Sequence, residues 1–330
     1  MNDSNWWELL SDPLPGRVEK PRLSGLTMVI DTGIPLSMLS DLLQMAADHV
    51  DYWKFGFASA GVCSPDSIRS KVSLCQEYGV FAYPGGTSLE IAIIQNVWEP
   101  YLQSLWKAGI RVVEVSDGTI NLPVHTRRQI IRTAKDMGFT VLSEVGKKEE
   151  GSFLAIDEQV ALIRGDLAAG AEYILVEGRE GGESVGVYGP HGEVRSSDVD
   201  ALANALGPLS TRLIWEAPQK KQQIYHIRRF GNRVNLGNVR PLDIVALESI
   251  RRGLRSDTFS LSLPEDDAPV MGKGDKGAAA EDARKPGAGS RPVLWKPNQS
   301  GRGGKRPSPD MQQRAQKEDL HRDDKPDAKA

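Results

Sequence analysis

Four glutamates recur along this 330-residue chain, each placed inside or directly after a short apolar run. They are Glu114, Glu144, Glu177 and Glu216. Ionised carboxylates held close together repel one another and are poorly solvated, so they need cations between them or must take up protons. Oxygen ligands without a nearby Cys or His favour Mg²⁺ over zinc or copper. The pattern therefore predicts acidic side chains gathered around a divalent cation.

Basic side chains accompany these glutamates and would supply part of the balancing charge. They are Lys54, Lys147, Lys148, Arg179 and Lys220. Any single one of these charged residues could instead belong to a polar network that only stabilises the fold. The repetition of the glutamate in four successive strands favours a functional cluster.

Two glycine-containing stretches are candidate anion sites. Gly85 and Gly86 stand in Pro84-Gly85-Gly86-Thr87, which is either a simple tight turn or a turn whose uncovered N–H groups bind a carboxylate or phosphate. Asn235 and Asn238 stand in Asn235-Leu236-Gly237-Asn238, with Arg252 and Arg255 downstream. A second anion-binding stretch at that position fits the place where many barrels bind phosphate.

Several other chemistries lack their signatures. The histidines at 49, 125, 191 and 226 have no spacing that suggests metal ligation, and no Gly-x-Ser-x-Gly elbow or Cys/His pairing indicates acyl transfer. No run of about 20 apolar residues and no signal peptide is present, so we expect a cytoplasmic protein without membrane contact. The net charge is −3, and acidic residues outnumber basic ones before residue 265, which argues against nucleic acid as a partner.

The elements that must position these residues alternate regularly. Eight β-rich runs occupy residues 26–31, 52–56, 80–84, 112–116, 140–145, 173–177, 213–217 and 233–236. Between them lie segments with helical spacing, several of which end in glycine. Eight βα units in about 235 residues predict a TIM (β/α)8 barrel, whose reactive groups gather at the C-terminal ends of the strands. A doubly wound open sheet is the rival fold, but no Gly-x-Gly-x-x-Gly follows the first strand.

Composition divides the chain into three parts. Residues 1–20 form an N-terminal extension that we expect to pack on the barrel exterior or its lower mouth. Residues 21–263 form the barrel. Residues 264–330 are rich in glycine, proline and mixed charge, which predicts a disordered tail, since such a segment cannot bury enough apolar surface to offset its chain entropy.

A set of motifs, in order along the predicted barrel, resembles the phosphosulfolactate synthase family. The motifs are Thr27-Met28-Val29-Ile30-Asp31, Lys54-Phe55-Gly56, Pro84-Gly85-Gly86-Thr87 with Glu90, Glu114-Val115-Ser116-Asp117-Gly118, Ser143-Glu144-Val145-Gly146-Lys147-Lys148, Asp166-Leu167-Ala168-Ala169-Gly170-Ala171, Glu216-Ala217-Pro218 with Lys220-Lys221-Gln222-Gln223, Asn235-Leu236-Gly237-Asn238, and Arg251-Arg252-Gly253-Leu254-Arg255-Ser256-Asp257-Thr258. The resemblance runs from about Pro21 to Thr258.

The resemblance implies a Mg²⁺-dependent lyase that adds sulfite to phosphoenolpyruvate, a reaction that leads to coenzyme M or to sulfolactate. On this basis we predict that Glu114, Glu144 and Glu177 hold Mg²⁺ and that Lys147 protonates C2 of the substrate. Lys148 is the alternative proton donor, because strand-end geometry cannot be read from sequence. Lys54, Arg179 and Lys220 are predicted to bind phosphate, carboxylate and sulfite.

Two alternatives stay open at this point. The resembled family includes plant heat-stress-associated proteins with a protective role, so a non-catalytic barrel is possible. Another Mg²⁺ lyase that forms an enolate and uses a different nucleophile would share every predicted residue. Ser88-Leu89, Gly178 and Gly181 depart from the usual family residues, which leaves the second substrate's pocket undefined. We also expect a homo-oligomer, since barrels commonly associate through their outer helices.

Overall fold

A computed structural model describes residues 9–147 and 154–262 of the chain. Lys148, the alternative proton donor, and the predicted tail at 264–330 lie outside the described residues. So do residues 1–8 of the predicted N-terminal extension.

Eight parallel strands form a nearly closed barrel, which confirms the predicted TIM fold and excludes the open doubly wound sheet. The strands are β1 (Thr27–Asp31), β2 (Tyr52–Phe55), β3 (Phe81–Pro84), β4 (Val112–Val115), β5 (Thr140–Val145), β6 (Tyr173–Val176), β7 (Leu213–Glu216) and β8 (Asn235–Val239). They pair in the order β3, β2, β1, β8, β7, β6, β5, β4. The two ends of this order, β3 and β4, lie side by side without a shared ladder, so the barrel has one seam.

The strands are buried because helices cover the barrel from outside. The helices of the described residues are α1 (Leu36–Ala46), α2 (Pro65–Glu77), α3 (Thr87–Ile94), α4 (Trp98–Lys107), α5 (Val124–Asp136), α6 (Ile156–Ala169), α7 (Ser196–Leu206), α8 (Lys220–Phe230), α9 (Ile244–Arg251) and α10 (Ser256–Phe259). Strands buried on both faces read as continuous apolar runs, which is why their sequences were recognisable. None of the helices in the described part of the chain is long and apolar enough to cross a membrane.

The last strand starts later than its sequence predicts. Strands β1 to β7 begin and end within one residue of the predicted runs, but β8 covers Asn235–Val239 instead of 233–236. The Asn235 side chain accepts from the Leu26 N–H at 3.1 Å and donates to the Thr211 and Leu213 carbonyls at 3.0 Å. These bonds hold Asn235 at the N-terminal edge of the barrel, so the predicted position at a strand's C-terminal end is wrong.

The N-terminal edge of the barrel, called here the bottom, is closed by arginines. Arg17 binds the Glu248 carboxylate at 3.0 Å, and Arg22 binds Asp51 at 3.0 Å. Arg251 is fully buried and donates to three backbone carbonyls, those of Leu26, Asn232 and Val234. Burial is the largest cause that lowers the pKa of Arg251 to about 9. The described part of the N-terminal extension therefore packs across the bottom.

Candidate functional site

A cavity of about 450 Å³ opens at the C-terminal ends of the strands, called here the mouth. Among the described residues, its lining includes five glutamates and two basic residues, Lys54 and Arg179. The glutamates are Glu114, Glu144, Glu177, Glu180 and Glu216. Because low-dielectric walls strengthen repulsion between like charges, this excess of negative charge calls for a further cation.

Three of these glutamates form the tightest acidic group at the mouth. Glu144, Glu177 and Glu216 each offer a carboxylate oxygen within 4.8 Å of the others, and each residue is 1% exposed. The Gly178 N–H donates to Glu216 Oε2 at 3.0 Å, and the Arg179 N–H donates to Glu177 Oε1 at 2.7 Å. Three buried oxygen donors held in this way fit a hard divalent cation such as Mg²⁺.

Lys54 places its ammonium beside this group, next to Glu114, Glu144 and Glu216. Its Nζ is 3.0 Å from Glu216, 3.1 Å from Glu114 and 3.6 Å from Glu144. Burial by itself lowers the pKa of Lys54, but the three carboxylates outweigh burial and raise that pKa well above 10.5. Burial is also the main cause that raises the pKa of Glu216, with Glu144 and Glu114 adding to it and Lys54 opposing it. Lys54 is therefore a fixed cation.

Glu114, predicted as a metal ligand, spans the seam between β3 and β4. Its Oε1 accepts from the Gly86 N–H at 2.7 Å and its Oε2 accepts from the Tyr83 hydroxyl at 3.0 Å. Both donors belong to the β3 side of the seam, so the Glu114 carboxylate links two neighbouring strands that share no backbone ladder. Glu216, which the sequence did not assign to the metal, joins the tight group instead.

The glycines after β3 line the cavity, but their amides have partners within the protein. The Gly85 N–H donates to the Phe55 carbonyl at 3.0 Å, and the Gly86 N–H is the one bound to Glu114. A Cβ on Gly86 would lie 2.7 Å from the Ser116 side chain, and one on Gly85 would lie 2.9 Å from Lys54. Close packing, rather than open N–H groups for an anion, thus accounts for glycine here.

Arg179 and Asn238 are neighbours at the mouth. Both have left-handed backbone, with φ of 55° and 52°, a conformation that costs energy in residues other than glycine. The Asn238 side chain donates from Nδ2 to the Arg179 carbonyl at 3.0 Å. Strained backbone held by such bonds is typical of functional sites, and both residues line the cavity as predicted.

The loop that carries Arg179, residues 177–195, is fixed against β7 and α8. Gln222 donates to the carbonyls of Gly182 and Gly192 at 2.7 and 3.1 Å. The Tyr188 hydroxyl donates to the Glu216 carbonyl at 2.7 Å and lies 3.1 Å from His226 Nε2. Burial lowers the pKa of His226 to about 3, so this ring is neutral and supports the loop.

Three other predicted residues are not among those that line the cavity. Lys147 donates to the carbonyls of Asp117 and Ile120 at 2.6 and 3.1 Å and lies 3.2 Å from the Asp117 carboxylate. Lys220 is half-exposed and pairs with Asp257 at 3.2 Å. Asn235 is at the bottom, as described above. The geometry therefore offers no direct support for substrate binding by Lys220 or Asn235.

Sequence reasoning missed Tyr83 and Arg127 as functional candidates. Tyr83 reads as an ordinary core aromatic, and nothing in the sequence indicates that its hydroxyl meets a carboxylate across a seam. Arg127 stands in an amphipathic helix, where an arginine normally faces solvent. Only the folded chain shows that it is buried behind β5.

Comparison with known proteins agrees with the resemblance seen in the motifs. A family model described as (2R)-phospho-3-sulfolactate synthase (ComA) matches residues 15–257, a range that contains every residue lining the cavity. The phosphosulfolactate synthase of Methanothermobacter thermautotrophicus is 42% identical over 257 residues, which cover 77% of this chain and 98% of that protein.

Two further phosphosulfolactate synthases are similar to the chain over most of their length. That of Methanocaldococcus jannaschii is 40% identical over 237 residues, which cover 71% of this chain and 94% of the relative. That of Bacillus subtilis is 35% identical over 250 residues, which cover 75% of this chain and 97% of the relative. The match to the family model ends at residue 257, before the predicted tail.

Proposed function

Because the chain belongs to the phosphosulfolactate synthase family, we propose that it joins sulfite to phosphoenolpyruvate, with Mg²⁺ as cofactor, to give (2R)-2-phospho-3-sulfolactate. Family membership identifies the chain as a phosphosulfolactate synthase. The two substrates and the metal are the proposal. The observation that carries it is the buried group of Glu144, Glu177 and Glu216 beside Lys54 at the mouth.

The proposed reaction makes two bonds. The sulfur lone pair of sulfite attacks C3 of phosphoenolpyruvate and forms a C–S bond, while the C2–C3 π electrons move toward C2 and the carboxylate. A proton then adds to C2, and the C–O bond to phosphate stays intact. Negative charge grows on the substrate carboxylate during the attack, so the site must present fixed positive charge there.

Both substrates are anions, and the cavity by itself carries more carboxylates than cations. Glu144, Glu177 and Glu216 would hold Mg²⁺, which when bound supplies positive charge that stabilises the developing carboxylate charge. Lys54 is held by three carboxylates and adds a second fixed cation to the same wall. Arg179 lines the same cavity and would bind the phosphate, since a guanidinium suits phosphate geometry.

The proton for C2 is assigned to Lys147 and not to Lys54, because three carboxylates hold the Lys54 ammonium in place. Lys147 follows Glu144 by three residues, at the end of β5, and Asp117 holds its ammonium at the rim. Because Lys147 does not line the cavity, its ammonium must turn toward C2 when the substrate is bound. Replacing Lys147 by Ala should lower kcat at least tenfold with little change in the KM for phosphoenolpyruvate. Unchanged turnover would contradict this assignment.

The proposed function is tested by incubating the purified protein with phosphoenolpyruvate, sulfite and Mg²⁺. We expect the adduct to appear by mass spectrometry and by ³¹P NMR, and to disappear when EDTA is added. Reaction of phosphoenolpyruvate with a different nucleophile alone would indicate another enolate-forming lyase. No reaction with Mg²⁺ or Mn²⁺ would overturn the proposal and favour a protective barrel. The expected homo-oligomer and the cytoplasmic location stay predictions.

A further inference from the structure

Arg127 is a fully buried arginine on α5, behind the mouth. Its guanidinium donates to four acceptors from three different parts of the chain. The acceptors are Asp166 Oδ2 at 2.7 Å, Asp117 Oδ1 at 2.9 Å, Ser143 Oγ at 2.6 Å and the Glu144 carbonyl at 2.7 Å. Such a planar fork fixes several partners at once, which a lysine ammonium does less well.

One arm of this fork reaches the acidic group of the mouth. The ladder between β4 and β5 ends at the pair Val115 and Ser143, so the Glu144 carbonyl lies one residue beyond the last pair. Arg127 supplies the hydrogen bond that β4 no longer gives to this carbonyl. The same residue, Glu144, places its carboxylate near Glu177 and Glu216. Arg127 thus fixes the backbone from which a proposed metal ligand extends.

The other arm reaches Lys147 through Asp117. Arg127 Nη1 binds Asp117 Oδ1, and the second oxygen of that carboxylate lies 3.2 Å from Lys147 Nζ. Asp166, fully buried on α6, binds the guanidinium from the far side. The charges alternate along this chain of contacts, from Asp166 through Arg127 and Asp117 to Lys147.

We propose that Arg127 is a positioning residue that sets Glu144 for the cation and, through Asp117, sets Lys147 for proton transfer. The inference rests on the proposed function for its catalytic part. Its metal-binding part concerns the protein alone and is measured without substrate. Mutation of a residue that hydrogen-bonds to a metal ligand typically lowers metal affinity or activity 10- to 100-fold.

The test compares two buried arginines at opposite ends of the barrel. Arg127→Lys keeps the charge but loses the fork, and Arg251→Lys does the same at the bottom, where the partners are backbone carbonyls. Binding of Mg²⁺ and Mn²⁺ to the metal-stripped protein is measured by calorimetry, and unfolding by thermal melts. We expect at least a tenfold weaker metal affinity for Arg127→Lys and less than a twofold change for Arg251→Lys.

Two results would overturn the inference. One is a metal affinity for Arg127→Lys within twofold of the original protein. The other is an equal loss in Arg251→Lys, which would show that lost stability alone explains the effect. If the metal affinity falls as expected but the original protein makes no sulfite adduct, the proposed function fails while the positioning of Glu144 stands.

A second variant separates the two arms and serves if Arg127→Lys does not fold. Asp117→Asn removes the carboxylate charge between Arg127 and Lys147, and it leaves the bond from Arg127 to the Glu144 carbonyl. We expect kcat for the adduct to fall about tenfold, with metal affinity and the KM for phosphoenolpyruvate unchanged. An unaltered kcat in Asp117→Asn would overturn the role of this network in proton transfer.

Discussion

Both ends of the barrel carry charged side chains, but the two ends balance these charges differently. At the bottom, Arg17 pairs with Glu248 and Arg22 pairs with Asp51, while Arg251 donates to three backbone carbonyls. At the mouth, five glutamates share the cavity with Lys54 and Arg179. Among the described residues, both of these carboxylates at the bottom have an arginine partner, whereas the mouth carries more buried carboxylates than buried cations.

The difference separates charges that stabilise the fold from charges that a bound ligand would balance. Buried charges cost energy unless they are paired, so an arrangement that serves stability alone would look like the bottom. A cluster of carboxylates with too few cations is retained where a cation or reacting group completes it. The same barrel therefore has a structural end and a functional end, as is common for this fold.

The largest effect is expected from neutralising one carboxylate of the tight group. Glu144→Gln removes a proposed metal oxygen and a contact of Lys54 without changing the side chain's size. We expect kcat/KM for adduct formation to fall at least 100-fold, since metal-bound charge stabilisation is lost. The matched control is Glu248→Gln at the bottom, which should keep kcat/KM within twofold. Equal losses in both variants would remove the distinction between the two ends.

A pH effect is expected from His226, which lies behind the mouth on α8. Its pKa is about 3 in the folded protein, because burial disfavours the charged ring, against 6.5 for an exposed histidine. The unfolded chain therefore binds the extra proton first, and stability is lost as pH falls from 6.5 toward 3. The free energy of unfolding should fall by about 1.4 kcal/mol per pH unit in this range.

The control for this pH effect is His226→Gln, measured by urea unfolding at several pH values. The variant should lose the part of the slope that comes from this ring. A slope between pH 6.5 and 5 that is the same in both proteins would contradict a neutral, buried His226.

In the metal-free protein, we expect replacement of a glutamate by glutamine to change stability in opposite directions at the two ends of the barrel, by a smaller amount. Glu216→Gln should raise the free energy of unfolding by about 1 kcal/mol, or about 2–4 °C in Tm, because burial and neighbouring carboxylates make its charge unfavourable. Glu248→Gln should lower it by a similar amount, because Arg17 loses its partner. Thermal melts in EDTA measure both. A stabilised Glu248→Gln, or a destabilised Glu216→Gln, would reverse the comparison.

The smallest effect is expected from removing residues 264–330. The family match ends at residue 257, and the predicted barrel ends at 263. A chain that stops at residue 263 should therefore keep kcat/KM and Tm close to those of the full chain. A large drop in either quantity would show that the predicted tail contributes to the barrel or its site.

Much of this fold could be read from the sequence, because strands buried on both faces leave continuous apolar runs. The runs predicted for β1 to β7 agree with the structure within one residue. The bounds predicted for β8 were wrong because residues 233–239 mix apolar residues with asparagine, glycine and arginine. This pattern does not show that the strand begins at Asn235 and continues to Val239.

The site was partly predictable for a similar reason. The sequence placed Lys54, Glu144, Glu177 and Arg179 at or just beyond the ends of strands, and in the structure all four line the cavity at the mouth. Which carboxylates meet, however, depends on side-chain reach across the barrel and on the seam that engages Glu114. The support from Arg127 depends on helix α5 packing against β5, a long-range contact that local patterns do not encode.

Titration of Mg²⁺ into the metal-stripped protein in a calorimeter shows whether a divalent cation completes the mouth. The prediction is one site per chain that is weakened at least tenfold in Glu144→Gln, Glu177→Gln and Glu216→Gln and unchanged in Glu248→Gln. Absence of binding in the original protein with Mg²⁺ and Mn²⁺, or binding that survives all three substitutions at the mouth, would contradict it.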